Sequence, residues 1–119
     1  MLNHMRESVI DKMEQSRFMF YLTGSVYFTG NGNDIDYFAI HSTELEDFLK
    51  SIGFCSISTN VYGDDNCVIV YRRHSDPYID VQLVKNAKLK LEIQEIFKKK
   101  GILKPTQEQW NCAFLLLGQ

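Results

Sequence analysis

Asp34 and Asp36 are the first residues of the chain whose type and spacing could do chemistry. They stand in the segment DIDYFAI, which predicts a strand over residues 34–40. Alternate residues of a strand share a face, so both carboxylates project to the same side. Two like charges at that spacing are unfavourable unless a cation compensates them. Magnesium is a natural candidate, because it binds one or two carboxylates together with the phosphate oxygens of a substrate.

Gly24 and Ser25 lie just upstream, after the aromatic segment RFMFYLT, which predicts a strand over residues 17–23. A glycine at the end of a strand lets backbone N–H groups approach a phosphate closely. An ordinary turn is the alternative interpretation. The segment therefore offers a candidate phosphate site close in sequence to a candidate cation site.

A third carboxylate, Asp80, lies in a predicted strand over residues 78–84. The alternation of that strand predicts that Ile79, Val81 and Leu83 point into the core. Asp80 then lies on the opposite, polar face. The position of this strand in the sheet decides whether Asp80 can act with the other two aspartates.

If this strand lies beside that of the paired aspartates, Asp34, Asp36 and Asp80 form one cluster. Three carboxylates can hold two metal ions, an arrangement suited to in-line phosphoryl transfer. One ion would hold a triphosphate, and the other would lower the pKa of an attacking hydroxyl whose proton Asp80 could accept. The alternative is structural: Asp80 caps the neighbouring turn or pairs with Arg72 or Arg73.

The elements that must position these residues follow from apolar spacing and turn signals. The predicted order is α-β-β-α-β-β-β-α-α. Its helices cover residues 4–16, 43–52, 86–100 and the chain from 106 onward, and its strands cover residues 17–23, 34–40, 54–61, 67–71 and 78–84. We expect one α+β domain over residues 1–119, with a mixed sheet flanked by helices.

Helix boundaries and faces give more specific predictions. Capping-box spacing occurs twice, at Thr43 with Glu46 and at Thr106 with Gln109. Glycines expected just after helix ends are Gly53 and Gly101. The apolar faces predicted to pack on the sheet are, helix by helix, Met5, Val9, Ile10 and Met13; Leu45, Phe48, Leu49 and Ile52; Leu89, Ile93, Ile96 and Phe97; and Trp110, Phe114 and Leu117.

Two surfaces leave alternatives open. The lysines of the C-terminal half are Lys85, Lys88, Lys90, Lys98, Lys99 and Lys100. They predict a solvated helix face, and the alternative is that they steer an RNA or DNA acceptor to the site. The apolar residues near the end of the chain predict core packing, with a partner or dimer surface as the alternative. They are Trp110, Phe114, Leu115, Leu116 and Leu117.

Composition narrows the class of protein. With 45% hydrophobic and 24% charged residues, the 119-residue chain has the composition of a globular domain. The net charge of −2 gives no reason to expect non-specific duplex binding. Three cysteines without CxxC spacing argue against a disulfide framework and a zinc motif. The N-terminal segment lacks the apolar run of a signal peptide, and the longest apolar run, 113–117, is far short of the roughly 20 residues of a membrane span. We therefore expect a cytoplasmic protein without membrane association.

The combined pattern resembles a known family. Gly-Ser, a short spacer, Asp-hydrophobic-Asp and a later lone Asp on a strand are typical of the nucleotidyltransferase superfamily related to DNA polymerase beta. The aromatic pair after Gly24-Ser25 is similar to that of its short phage and bacterial members, the minimal nucleotidyltransferases. The resemblance covers roughly residues 18–84. It implies a nucleotidyltransferase-like mixed sheet, two magnesium ions, and transfer of NMP from an NTP to a hydroxyl on a protein, an RNA or a small molecule.

Residue by residue, the resemblance implies that Gly24 and Ser25 bind phosphate and that Asp34, Asp36 and Asp80 bind metal. Arg72 and Arg73 are candidate triphosphate ligands, since they lie near Asp80 across the predicted hairpin. The alternative hypothesis is a catalytically degenerate module of the same fold that acts on a protein partner. Such a module could be a toxin–antitoxin component or a phage protein that engages a host factor.

Overall fold

The structure is a computed structural model that describes residues 2–57, 65–75 and 78–118. The helices are α1 (Leu2–Gln15), α2 (Gly24–Thr29), α3 (Thr43–Ser51), α4 (Ala87–Lys99) and α5 (Gln107–Leu117). The strands are β1 (Tyr21–Thr23), β2 (Ile35–Ile40), β3 (Cys55–Ile57), β4 (Cys67–Arg73) and β5 (Ile79–Val84). The predicted α+β class is confirmed.

The five strands form one mixed sheet in the order β1-β2-β5-β4-β3. Strand β2 runs parallel to β5, and the other neighbouring pairs are antiparallel. A parallel neighbour requires a crossover, and the chain between β2 and β5 supplies it with α3 and the β3–β4 pair. The strand that follows Asp34 and carries Asp36 therefore lies directly beside the strand that carries Asp80.

Helices cover both faces of the sheet. Ile79, Val81 and Leu83 of β5 are fully buried against side chains of α1 and α3, as their alternation predicts. On the other face, Phe38 and Val84 pack against the start of α4. A smaller cluster there joins α2, α4 and α5 and has as buried members Phe28, Ile93 and Phe97. The polar residues of β2 and β5 lie on this second face, beside α4.

One element was not predicted. Gly24–Thr29 forms the six-residue helix α2, where the sequence predicts only the end of a strand. A single helical turn and a half is too short for apolar periodicity to reveal. Gly24 begins α2 with φ +68°, and Gly30 ends it with φ +79°, both in the left-handed region that favours glycine.

Several boundaries differ from the predictions. Strand β1 begins at Tyr21 rather than residue 17, since the chain bends at Ser16, whose hydroxyl bonds Met13 and accepts from the Phe18 N–H. Strand β4 continues to Arg73 because it pairs with β5 as far as Ile79. The predicted strand 54–61 corresponds to β3, and its residues 58–61 lie outside the described residues.

The second capping box is present and the first is not. Thr106 accepts from the Gln109 N–H while the Gln109 side chain accepts from the Thr106 N–H. At α3 the cap is Ser42, which accepts from the Leu45 N–H. Thr43 is wrong as the cap because it is the first helical residue, one position after Ser42, and Glu46 bonds the His41 ring and the Tyr71 hydroxyl.

The predicted helix faces are correct at most of their positions. Ile96 of α4 and Leu117 of α5 are wrong, since both side chains are exposed. Met5, predicted on the face of α1, lies outside the residues whose side chains are described. Of the described helices, none combines the length and the apolar character that a membrane span requires.

Candidate functional site at the centre of the sheet

One row of side chains crosses four strands of the sheet. Thr23 of β1 is the register partner of Asp36 of β2, Asp36 is the partner of Asp80 of β5, and Asp80 is the partner of Arg72 of β4. Neighbouring strands lie about 5 Å apart, and directly opposed residues present their side chains on the same face. The sheet therefore brings together two of the three predicted aspartates, from β2 and β5, and sets an arginine beside them.

Asp36 lies directly against the backbone of Gly24. A Cβ atom at Gly24 would lie 2.3 Å from Asp36 Oδ2, closer than any real contact. The left-handed φ of Gly24 independently favours glycine. Thus the position predicted to approach a phosphate is held next to a position predicted to bind metal.

The pKa of Asp36 is raised from 3.8 to about 6. Burial is the largest cause, and the charges of Asp80 and Asp34 add to it, while Arg72 acts in the opposite direction. The Asp36 carboxylate is thus in an environment that disfavours its negative charge. A neighbouring cation would relieve that penalty.

Asp80 has a different environment, although it is the neighbour of Asp36. Arg72 donates from Nε to Asp80 Oδ1 at 2.7 Å and from Nη2 to Oδ2 at 2.9 Å. Such a two-pronged contact matches the planar guanidinium to the carboxylate. Asp80 is only 8% exposed, so the ion pair is shielded on the carboxylate side. The structural alternative for Asp80, pairing with Arg72, is therefore present in the structure.

Asp34 is exposed and immediately precedes β2. It lies close enough to Asp36 for its charge to raise the pKa of that carboxyl. With Asp80 it also lines a pocket of about 310 Å³ whose other lining residues are Arg72, His74 and Tyr78. The structure therefore places Asp34 near both other aspartates, on the open side of the row.

A second pocket, of about 190 Å³, adjoins the same row from the α2 side. Its lining includes Gly24, Ser25 and Asp36 together with Lys90 and Lys104. The remaining residues are mainly apolar and come from β1, α2, α5 and the segment before α5: Thr23, Phe28, Leu103, Pro105 and Trp110. The predicted phosphate residues Gly24 and Ser25 thus share a pocket with one predicted metal residue, Asp36, and with two lysines.

The prediction that Lys90 lies on a solvated helix face is wrong. Lys90 is only 3% exposed, and its Nζ donates to Gln82 Oε1 at 3.0 Å and lies 4.4 Å from the centre of the Trp110 ring. A signal was available in the sequence. Ala87, Lys90, Gln94 and Phe97 recur at helical spacing and are all buried in α4. The other five lysines predicted on that surface are exposed: Lys85, Lys88, Lys98, Lys99 and Lys100.

Not every predicted position reaches the site. Arg73 is the register partner of Ile79, on the opposite face of the sheet from Asp80, and it donates to the Ser75 carbonyl. Asp65, another carboxylate, is exposed, and its backbone N–H donates to the side-chain oxygen of Asn111 in α5. The cysteines are free thiols, at Cys55, Cys67 and Cys112.

The donor set fits a divalent cation only in part. Within residues 2–57, 65–75 and 78–118, no group of three or more His, Cys, Asp or Glu side chains is arranged to hold a metal ion. Both oxygens of Asp80 are engaged by Arg72. Asp34 and Asp36 provide the carboxylates that fit a hard cation such as magnesium.

Comparison of the chain with models of known protein families, with characterised proteins and with solved structures found no match.

Proposed function

We propose that the protein is a magnesium-dependent nucleotidyltransferase that moves NMP from an NTP to an acceptor hydroxyl. The observation that carries this proposal is the register of Asp36 with Asp80, with Gly24 held against the Asp36 carboxylate. Carboxylates from two strands lie here beside a glycine whose backbone can be approached closely. This combination suits a phosphate ester bound together with a cation. The resemblance in the Gly-Ser and Asp-x-Asp segments supports the same reaction.

The pocket beside α2 suits the nucleotide. Gly24 and Ser25 offer a close approach to backbone, and Lys90 and Lys104 contribute positive charge to the same pocket. A triphosphate carries several negative charges, so cations beside it stabilise the bound state. Trp110, Leu103 and Pro105 provide apolar surface in the same pocket.

Asp34 and Asp36 would hold magnesium, with Asp80 as the third carboxylate that the resemblance implies. When bound there, the ion would neutralise charge on the phosphates and make the acceptor hydroxyl more acidic.

The pocket that contains Asp34, Asp80, Arg72, His74 and Tyr78 suits the acceptor, because it adjoins the same carboxylates. The acceptor oxygen bonds to the α-phosphorus, and the bond between that phosphorus and the pyrophosphate oxygen breaks. The hydroxyl proton passes to a carboxylate of the site, and Asp80 lies at the pocket to help activate this hydroxyl. We place the protein in the cytoplasm, where NTP and magnesium are available and where its free cysteines would remain reduced.

A non-catalytic binding module is the second candidate function. The ion pair between Arg72 and Asp80 favours it, since a carboxylate fully engaged by arginine is a weaker metal ligand and base. The exposed leucines at the end of α5 suit a protein partner or a second copy of the chain. They are Leu115, Leu116 and Leu117.

Nucleotide binding and turnover distinguish the two candidates. The first measurement is calorimetric titration with each of the four NTPs and magnesium. The second is an assay of pyrophosphate release in the presence of protein, RNA and small-molecule acceptors. The transferase should bind an NTP and release pyrophosphate. The double variant D34N/D36N should show no measurable NTP binding and no measurable pyrophosphate release. D11N, at an exposed position of α1, is the matched control and should behave as wild type.

Each contrary outcome has a distinct meaning. Binding of an NTP without pyrophosphate release favours the binding module. An absence of NTP binding at millimolar concentration contradicts the transferase. Equal pyrophosphate release by D34N/D36N removes these two aspartates from the mechanism.

A further inference from the structure

The guanidinium of Arg72 lies where a cation bound to both oxygens of Asp80 would sit. Arg72 is the register partner of Asp80 on the neighbouring strand, so its side chain reaches the carboxylate directly. Two hydrogen bonds, of 2.7 and 2.9 Å, engage both carboxylate oxygens. A metal ion using either oxygen as an inner ligand would have to compete with a charged, two-pronged contact.

The charges of the row lead to the same conclusion. Ionised Asp34, Asp36 and Asp80 carry three negative charges, and Arg72 compensates one of them. One divalent cation balances the two that remain, whereas a second divalent ion would leave the row positively charged before a nucleotide binds. The compensated carboxylate is Asp80, so the remaining demand for a cation lies at Asp34 and Asp36.

We propose that Arg72 takes the place of one of two divalent ions, so that the site binds a single divalent ion through Asp34 and Asp36. Asp80 is then a positioning residue that fixes the guanidinium beside the acceptor pocket, and it is not an inner metal ligand. This inference rests on the proposed function, and it changes the expected number of ions from two to one.

The test is to locate manganese, which stands in for magnesium and scatters X-rays anomalously. Crystals of the full chain are soaked with Mn²⁺ and a non-hydrolysable NTP, and the anomalous peaks are counted and assigned to ligands. We expect one peak at Asp34 and Asp36 in the wild type, with Arg72 still bonded to Asp80. In R72Q, which releases the Asp80 carboxylate, we expect a second peak at Asp80.

R73Q is the matched control, because Arg73 is the adjacent arginine of β4, is the register partner of Ile79 rather than of Asp80, and donates to the Ser75 carbonyl. It should show one peak. D80N provides a second route if R72Q does not fold. It should keep the single peak if Asp80 is only a positioning residue.

Two peaks in the wild type, with Asp80 as a ligand and Arg72 displaced, would overturn the inference and leave the proposed function intact. Loss of the wild-type peak in D80N would overturn it as well. If neither manganese nor nucleotide binds at the aspartates, both the inference and the proposed function fail. A nucleotide bound there without manganese overturns the inference and the magnesium part of the proposed function.

Discussion

Gly24 and Asp36 are in such close contact that a Cβ atom on Gly24 would lie 2.3 Å from Asp36 Oδ2. The two residues belong to different elements, α2 and β2, and to the two halves of the candidate site. Their contact means that a side chain added at Gly24 would displace the Asp36 carboxylate. A change at either residue should therefore affect both functions of the site.

G24A should lower the free energy of unfolding by about 2–4 kcal/mol and abolish nucleotide binding. The methyl group adds strain at a left-handed φ, worth about 1–2 kcal/mol, and displaces the Asp36 carboxylate. G30A is the control, because Gly30 has a similar φ of +79° but nothing within 4 Å of its added Cβ. It should lower the free energy of unfolding by about 1–2 kcal/mol through backbone strain alone and bind nucleotide normally. Urea denaturation and calorimetry measure both quantities, and equal losses in the two variants would show that the Asp36 contact is unimportant.

D36N should stabilise the protein at neutral pH while it abolishes cation binding. The pKa of Asp36 is raised in the folded state to about 6, so folding becomes less favourable as pH rises from about 4 to 6 and the carboxyl ionises. Because the side chain is partly exposed, we expect a gain on the order of 1–2 kcal/mol at pH 7.5 that disappears below pH 4. Urea denaturation of both proteins across this pH range measures it. A D36N protein less stable than wild type at pH 7.5 would contradict the unfavourable environment of this charge.

K90M should separate ligand binding from stability. The Lys90 amine is buried against Gln82 and Trp110 and lines the pocket of Gly24 and Asp36. Methionine has a similar length and no charge to bury, so the free energy of unfolding should change by less than about 1.5 kcal/mol. Affinity for an NTP should fall at least tenfold, which corresponds to about 1.4 kcal/mol. K88M, at an exposed position of the same helix, is the control, and an unchanged affinity in K90M would exclude Lys90 from the nucleotide site.

Y71F should destabilise the fold through a contact on the opposite face of the sheet from the candidate site. The buried Tyr71 hydroxyl donates to Glu46 Oε1 at 2.7 Å, and burial together with that bond raises the pKa of Tyr71 to about 12. Its loss should lower the free energy of unfolding by about 1–2 kcal/mol at pH 8. Since the folded-state pKa is raised above 10, the contribution of the bond should be present below pH 10 and lost toward pH 12.

Y21F is the control for that prediction. Tyr21 stacks on Phe38, and its hydroxyl makes no hydrogen bond to a described residue, so removal of the oxygen should change stability by less than about 0.5 kcal/mol. Thermal or urea denaturation compares the two variants. A Y71F protein as stable as Y21F would show that the bond to Glu46 contributes nothing.

The sequence by itself determined those features that depend on local spacing. The alternation of Ile79, Val81 and Leu83 predicted their burial, and Thr106 with Gln109 predicted the start of α5. The α+β class followed from the order of such patterns. Each of these signals lies within a few residues of chain, because the periods of helices and strands are themselves local.

Only the tertiary structure decided which side chains meet. Nothing in the spacing of residues around Asp80 chooses between Arg72, Arg73 and a metal ion, and the register of β4 with β5 chose Arg72. The burial of Lys90 likewise depends on α5, which brings the Trp110 ring over its amine. The physical reason is that ion pairs and buried charges are fixed by strand order, register and helix packing, which join segments far apart in the chain.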